Sequence, residues 1–107
     1  QADRGERIMK RETVYISGPM TGLPDFNYPA FNAKATELFH AGYTVRNPAW
    51  TVGGESWAWG RWMREALKLQ MDADVVHMLP GWRKSRGARI EHRLALILGQ
   101  RVEGADA

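Results

Sequence analysis

The sequence predicts one α/β domain, in which a small doubly wound parallel sheet of four or five strands is flanked by helices. Two observations lead to this class. Short runs rich in β-branched residues alternate along the 107 residues with amphipathic stretches of helical period. Glycine and proline separate these segments, so that the order reads βαβαβαβ. That order calls for right-handed crossovers, which place helices on both faces of a parallel sheet.

The first unit consists of a strand, a loop and a helix. Thr13–Ser17 is rich in residues that favour strands, and residues 18–24 contain glycine and proline, which predict a loop. Asn27 and Pro29 are typical of a helix start, and Gly42 is typical of a helix end. The apolar face of this helix is predicted to comprise Phe31, Ala35, Leu38 and Phe39.

The second unit repeats this order. Residues 43–46 predict a strand that ends at Asn47-Pro48, and residues 51–56 are a glycine-rich loop. Residues 57–72 then predict a helix. Its residues toward the core are predicted to be Trp59, Met63, Ala66 and Leu67.

The third unit contains the strand expected at the centre of the sheet. Residues 74–79 have the continuous apolar character of a central parallel strand. Arg86–Leu98 predicts a helix that ends at Gly99, and residues 101–103 predict a short last strand. The inward face of this helix, at i, i+3, i+4 and i+7 spacing, is Glu91, Leu94, Ala95 and Leu98. The resulting sheet is of the Rossmann-like or flavodoxin-like kind.

Two loops are expected to meet at the carboxyl edge of the sheet. The loop at 18–24 follows the first strand, and the loop at 81–87 follows the third. These strands are expected to be neighbours in a doubly wound sheet, and ligands of such proteins bind in the crevice at this edge. The sequence therefore predicts a binding site between the two loops.

Glu91 is the unusual member of its helical face. A buried carboxylate costs several kcal/mol unless it is paired or hydrogen-bonded. Glu91 is therefore either part of a local hydrogen-bond network or a catalytic residue. The phenol of Tyr15 on the first strand could reach it and tune its pKa, although simple packing is the usual role of a strand tyrosine.

The backbone of both loops is suited to an anionic or polar ligand. The first loop could turn its N–H groups toward a phosphate or a sugar, or could be a tight turn and nothing more. The second, Lys84 to Gly87, offers a hydroxyl, cations and a helix N-terminus, although Ser85 could simply cap the helix. The first-loop residues concerned are Gly18, Pro19, Met20, Thr21 and Gly22.

Aromatic residues offer a surface for a nucleobase. Trp82, between glycine and arginine in the second loop, is the better stacking candidate, whereas Trp59 and Trp62 are expected in the core or at an interface. The three histidines, His40, His77 and His92, lack metal-ligand spacing, so we expect them to be structural, and we expect neither a metal nor a cofactor.

Composition limits the class of protein. The chain has no cysteine and a formal net charge of +3, and no apolar run approaches the roughly 18 residues of a membrane span. With no signal-peptide pattern, we expect a cytoplasmic protein without a membrane partner. Residues 1–8 are polar and without pattern, so we expect a disordered upstream or added tail before a natural start at Met9 and a single domain over 9–107.

Several motifs together resemble a known family. The chain from about Thr13 onward is similar to a small phage and bacterial domain family of unknown function, grouped with the nucleoside 2-deoxyribosyltransferase-like superfamily. This points to the cytoplasm of a bacterium or of a phage-infected cell. The motifs are Tyr15-Ile16-Ser17-Gly18-Pro19-Met20-Thr21-Gly22, Asn27-Tyr28-Pro29-Ala30-Phe31-Asn32, Asn47-Pro48, and Leu79-Pro80-Gly81-Trp82 through Glu91-His92.

The resemblance implies roles for individual residues. The superfamily's enzymes cleave or exchange N-glycosidic bonds with a glutamate nucleophile, which Glu91 matches, and Tyr15 matches the tyrosine that contacts it. Ser85 and Gly87 match a phosphate-binding serine and its neighbouring glycine. Further substrate-binding candidates are Asn47, Trp82, Arg86 and the first loop, Gly18 to Gly22.

One position departs from the enzymes of the superfamily. They carry an aspartate about eight residues before the Ala-Asp pair that opens the third strand, matched here by Ala73-Asp74. Ala66 stands at that position. Candidates for a supporting acid in its place are Asp74, Asp72 and Glu65.

Three functions remain open at this point. The first is a nucleoside or nucleotide N-glycosidase or deoxyribosyltransferase-like enzyme. The second is a non-catalytic module that binds a nucleotide or an ADP-ribose-type ligand. The third, a nucleic-acid-binding protein, is the weakest because the basic residues are scattered along the chain. The superfamily also implies a homo-oligomer, and we expect at least a dimer. The tryptophan-rich second helix of this sequence is the candidate contact surface.

Overall fold

Among the residues that the structure describes, four parallel strands form a single sheet. A computed structural model describes residues 11–106, so the expectations of a tail over 1–8 and a start at Met9 lie outside the described residues. The strand order is β2-β1-β3-β4, and every neighbouring pair is parallel. This confirms the predicted α/β class and the adjacency of the first and third strands. The strands are β1 (Thr13–Ser17), β2 (Thr44–Arg46), β3 (Val75–Met78) and β4 (Arg101–Gly104).

Helices cover both faces of this sheet. They are α1 (Tyr28–His40), α2 (Trp59–Met71) and α3 (Arg86–Leu98). On one face, the α1 residues Phe31, Ala35 and Leu38 pack on Val14 and Ile16 of β1. On the opposite face, small residues of α2 and α3 approach Tyr15 and its neighbours, because strand side chains alternate between faces. The described helices are too short or too polar to cross a bilayer.

Two predicted core residues lie at the surface instead. The side chain of Phe39 is 61% exposed, because one step along a helix turns a side chain by about 100° and Leu38 already faces the sheet. Leu98 is 44% exposed, since α3 approaches the sheet through Ala88 and Ala95 and its last turn is left uncovered.

The start of α1 also differs from the prediction. Asn27 does not cap the helix through its side chain. It has a positive φ of 61°, as do Asp25 and Phe26 before it, at 50° and 51°. The Asn27 side-chain amide donates a hydrogen bond to the carbonyl oxygen of Pro19, at 3.0 Å. Asn27 therefore ties the loop after β1 to the start of α1.

Two helices end at the glycines that the sequence predicts. Gly42 and Gly99 both have positive φ, at 101° and 73°, directly after α1 and α3. Glycine adopts this conformation without the steric penalty of a Cβ atom. The second helix begins at Trp59 rather than at residue 57, because the backbone of Trp57 and Ala58 is extended, with ψ angles of 147° and 153°.

Candidate active site

A buried carboxylate joins α3 to β1 near the carboxyl edge of the sheet. The side chain of Glu91 accepts a hydrogen bond from the hydroxyl of Tyr15 on one oxygen and from the hydroxyl of Ser17 on the other, both at 2.6 Å. Glu91 is 5% exposed, and both donors are buried. Tyr15 and Ser17 are two residues apart on β1, so their side chains point to the same face. The contact predicted between Tyr15 and Glu91 is present.

The surroundings of Glu91 set its protonation. Burial raises the pKa of its carboxyl group from 4.5 to about 7, against the hydrogen bonds from Ser17 and Tyr15, which lower it. Burial, the Glu91 charge and the shared hydrogen bond raise the pKa of Tyr15 well above its usual value, so the phenol stays protonated as a donor. Near neutral pH the carboxyl group is therefore partly ionised, and the two hydrogen bonds already orient both of its oxygens.

Two polar residues of this arrangement were not singled out from the sequence. Ser17 could have been found from its spacing, because it lies on the same strand face as Tyr15. Gln70 of α2 is fully buried, and its amide donates to the carbonyl oxygen of Glu91 at 2.8 Å and to the side chain of Gln100 at 3.1 Å. Gln70 thus holds the backbone of Glu91 against α2.

Glu91 lies on the wall of a cleft of about 390 Å³, within the range of small-molecule sites. Both predicted loops contribute to it. Gly18, Pro19, Met20 and Thr21 come from the first loop, and Lys84, Ser85, Arg86 and Gly87 from the second. The remaining walls are Tyr15, Phe31, Pro48, Trp59, Trp62, Met63 and Ala88.

Neighbouring side chains leave no room for a Cβ atom at Gly18 and little room for one at Gly87. A Cβ atom on Gly18 would lie 2.8 Å from the Cβ atom of Leu79, at the end of β3. A Cβ atom on Gly87 would lie 3.0 Å from the sulfur atom of Met63 on α2. The two loops and α2 are therefore packed closely around the cleft.

The second loop combines a helix N-terminus with cations. The hydroxyl of Ser85 accepts a hydrogen bond from the backbone N–H of Ala88 at 3.1 Å, so this serine caps α3. The guanidinium of Arg86 lies 4.1 Å from the ring centroid of Trp59, which also lines the cleft. Exposed Lys84 and Arg86 give this end of the cleft a positive potential, which favours an anionic group.

Trp82 departs most from its predicted role. Its ring is 5% exposed and stacks on His92 at a centroid distance of 4.3 Å. The guanidinium of Arg83 lies over the ring at 4.6 Å, and the indole N–H donates to the carbonyl of Ala105 at 2.7 Å. The ring is thus enclosed by protein and does not line the cleft, so it is not available to stack on a base.

Four more predicted positions lie away from the cleft. Asn47 is buried and bonded to Ala49 and Asn32, so its side chain shapes the turn after β2. Gly22 is an exposed turn residue with a φ of 83°. The carboxylate of Asp74 accepts from the backbone N–H of Thr13 at 2.9 Å, and Asp72 pairs with Arg46.

Neither Asp72 nor Asp74 is placed to act as a supporting acid. Both precede β3, which puts them at the amino edge of the parallel sheet, whereas the cleft is at the carboxyl edge. Ala66 is buried in the core beside Tyr15. Glu65 pairs with Lys68 at 3.0 Å on the outer side of α2.

With this geometry in place, similarity to known proteins assigns the chain to a family. The family model described as Domain of unknown function (DUF4406) matches residues 12–103. The chain belongs to this family. The match covers all four strands except the last residue of β4, together with the loops and helices that line the cleft. No curated protein matches the DUF4406 chain.

Proposed function

We propose that this DUF4406 protein cleaves or transfers the N-glycosidic bond of a nucleoside or nucleotide, with Glu91 as the nucleophile. The observation that carries the proposal is the Glu91 carboxylate, buried in the wall of the cleft and held by two hydroxyl donors at 2.6 Å. Such restraint presents a carboxylate oxygen to a substrate carbon in one orientation. The motif resemblance to the nucleoside 2-deoxyribosyltransferase-like superfamily adds support, and we place the DUF4406 family with it.

The chemistry requires ionised Glu91. A carboxylate oxygen would attack the anomeric carbon of the sugar, and the bond from that carbon to the base nitrogen would break. The electron pair leaves with the base, whose nitrogen takes a proton from solvent. Water, or a second base in a transferase, then attacks the same carbon, loses a proton to solvent and releases the Glu91 carboxylate.

The donors to Glu91 suit this role. A carboxylate has about four lone-pair sites, and Tyr15 and Ser17 occupy one site on each oxygen. Lone pairs therefore remain with which a carboxylate oxygen would attack the sugar carbon. The cationic end of the cleft, with Lys84 and Arg86, would hold a 5-phosphate on the sugar.

A second candidate function is a binding module without turnover. It is favoured by the lining of the cleft, in which Glu91 is the single acidic side chain among the described residues. The described lining of this cleft therefore contains no second carboxyl group that could protonate a leaving base. Such a module would keep the phosphate end and the sugar position, and would bind a nucleotide or an ADP-ribose-type ligand.

Base release decides between these functions. Deoxynucleosides, deoxynucleotides, ribonucleotides and NAD would be incubated with the protein, and free base would be measured by liquid chromatography. Glu91→Gln keeps the side-chain shape and removes the nucleophile. Glu37→Gln, on the exposed side of α1, is the matched control.

The outcomes are distinct. We expect base release by the wild type and by Glu37→Gln, and at least about a 100-fold loss in Glu91→Gln, the scale typical for removal of a catalytic group. Release that persists in Glu91→Gln would exclude the nucleophile role. No release from any compound, with a thermal shift by one of them, would identify the binding module.

The assembly expected from the superfamily can be measured separately. The protein is proposed to be a homo-oligomer, although Trp59 and Trp62 of α2 line the cleft, which leaves them less free to serve as a contact surface. Light scattering at micromolar concentration that gives a monomer mass would contradict the oligomer.

A further inference from the structure

A second cavity adjoins the cleft that contains Glu91. It has a volume of about 240 Å³, and it shares a wall with the cleft. The shared residues are Met20, Thr21, Trp59 and Trp62. Glu91 and the cationic loop line only the first of the two spaces. A ligand seated with a phosphate at the cationic loop could therefore extend past Glu91 into the second cavity.

Aromatic rings form most of the rest of this second cavity. The rings of Trp57 and Trp62 are inclined at 53° with centroids 6.1 Å apart, and the ring centroids of Phe26 and Tyr28, which also line the cavity, are 5.8 Å apart. The guanidinium of Arg61 lies over the Trp57 ring at 4.1 Å, which holds that ring in place. Flat, fixed aromatic surfaces of this kind are what planar heterocycles stack on.

The position of the Trp62 ring in the shared wall depends on Gly54. A Cβ atom on Gly54 would lie 2.1 Å from the Trp62 ring, a distance that no side chain can adopt. The ring of Trp62 therefore reaches the shared wall only because residue 54 carries no side chain. The close packing of a loop glycine on this tryptophan gives the wall a defined position.

A carboxylate completes the second cavity. Glu55 lines it beside Tyr28, and the pKa of Tyr28 is raised by burial and by the Glu55 charge. A carboxylate accepts hydrogen bonds from exocyclic amino groups of bases, as it does from the amino group of cytosine. Uracil and thymine carry two carbonyl oxygens beside their ring N–H, and these oxygens would be repelled by the charge.

We propose that this aromatic cavity is the nucleobase subsite, and that Glu55 makes it selective for bases with an exocyclic amino group. The inference rests on the proposed function for the identity of the ligand as a nucleotide. In this assignment the stacking residues are Trp57 and Trp62 rather than Trp82, because protein covers both faces of the Trp82 ring.

Binding without turnover tests the subsite. The protein would carry Glu91→Gln, so that no base is released, and the probes would be dCMP, dAMP, dTMP and 2-deoxyribose 5-phosphate. Trp57→Ala removes a stacking surface that lines the second cavity and not the first. Trp50→Ala is the matched control, because Trp50 is 58% exposed and lines neither space.

We expect Trp57→Ala to weaken the binding of dCMP and dAMP by about 10- to 100-fold, as measured by titration calorimetry, which is the range of base–aromatic stacking. Binding of 2-deoxyribose 5-phosphate should be unchanged, as should all binding by Trp50→Ala. If Trp57→Ala weakened the binding of 2-deoxyribose 5-phosphate as much as that of dCMP, or left dCMP binding unchanged, the assignment of the subsite would be overturned.

The role of Glu55 has its own measurement. We expect the parent to bind dCMP about 5- to 10-fold more tightly than dTMP, and Glu55→Gln to abolish this preference. A preference that survives in Glu55→Gln would refute the assignment of selectivity to this carboxylate.

Failure of the subsite and failure of the proposed function can be told apart. If no base is ever released but Trp57→Ala weakens dCMP selectively, the subsite stands in a binding module. If base is released from nucleotides and Trp57→Ala leaves dCMP binding intact, the glycosidase stands and this subsite does not.

Discussion

Replacing Glu91 with glutamine should make the protein more stable at alkaline pH. In the folded protein the carboxyl group holds its proton up to a pKa of about 7, whereas in the unfolded chain it loses the proton near 4.5. The folded state therefore binds more protons between these two values, and the free energy of unfolding falls as the pH rises through this window. Glutamine at this position does not titrate and escapes that loss.

The size of the effect follows from the same values. At about 1.4 kcal/mol for each tenfold change in the proton equilibrium, a rise from 4.5 to about 7 corresponds to roughly 3 kcal/mol. This cost is absent below pH 4.5 and fully present above about pH 8. A protein of this size has a total stability of about 5–15 kcal/mol, so the difference is large enough to measure.

Urea unfolding at pH 5, 6, 7 and 8.5 provides the assay, with both proteins followed by tryptophan fluorescence. Other groups titrate alike in the two proteins, so their contributions cancel in the difference. We expect Glu91→Gln to gain stability relative to the wild type by about 2–3 kcal/mol between pH 5 and pH 8.5. Glu37→Gln, at an exposed site, is the control for the loss of a carboxylate as such. A constant difference for Glu91→Gln would refute the reasoning that burial controls this carboxyl group.

Four further substitutions test the surroundings of the site. Tyr15→Phe and Ser17→Ala each remove a hydrogen-bond donor to the ionised carboxylate of Glu91, so the pKa of Glu91 should rise in both variants. An NMR titration of the Glu91 carboxyl carbon measures this rise, and base release should shift to higher pH with it. An unchanged pKa would contradict the two hydrogen bonds. Gln70→Ala leaves a buried space and unpaired polar groups, and should cost about 2–4 kcal/mol in urea unfolding; a loss below 1 kcal/mol would show that the network is not stabilising. Gly18→Ala puts a Cβ atom 2.8 Å from the end of β3, and should lower stability by about 1–3 kcal/mol; a neutral result would mean that the loop can move aside.

The pairing of Tyr15 with Glu91 could be predicted because it depends on period and topology. Side chains alternate along β1, a helical face repeats at fixed spacing, and neighbouring parallel strands bring their following segments to the same edge. The same alternation places Ser17 beside Tyr15, so the second donor was available from spacing alone.

The role of Trp82 could not be predicted in this way. Its ring is enclosed by His92 of α3 and by the chain after β4, which supplies the carbonyl of Ala105. The burial of a loop residue depends on which distant segments return to it. The same holds for Asp72, which only the folded chain shows to be paired with Arg46.

By itself the sequence determined the order of the elements, the parallel sheet, the helix ends at Gly42 and Gly99, and the inward position of Glu91. The element order, the helix ends and the inward position of Glu91 leave local marks, either a regular period or a glycine at a fixed place. The parallel sheet follows from the element order through the rule of right-handed crossovers. The tertiary structure alone decided the Gln70 contacts, the enclosure of Trp82 and the aromatic cavity beside the cleft. Those features join segments tens of residues apart, so their geometry comes from packing and carries no local signature.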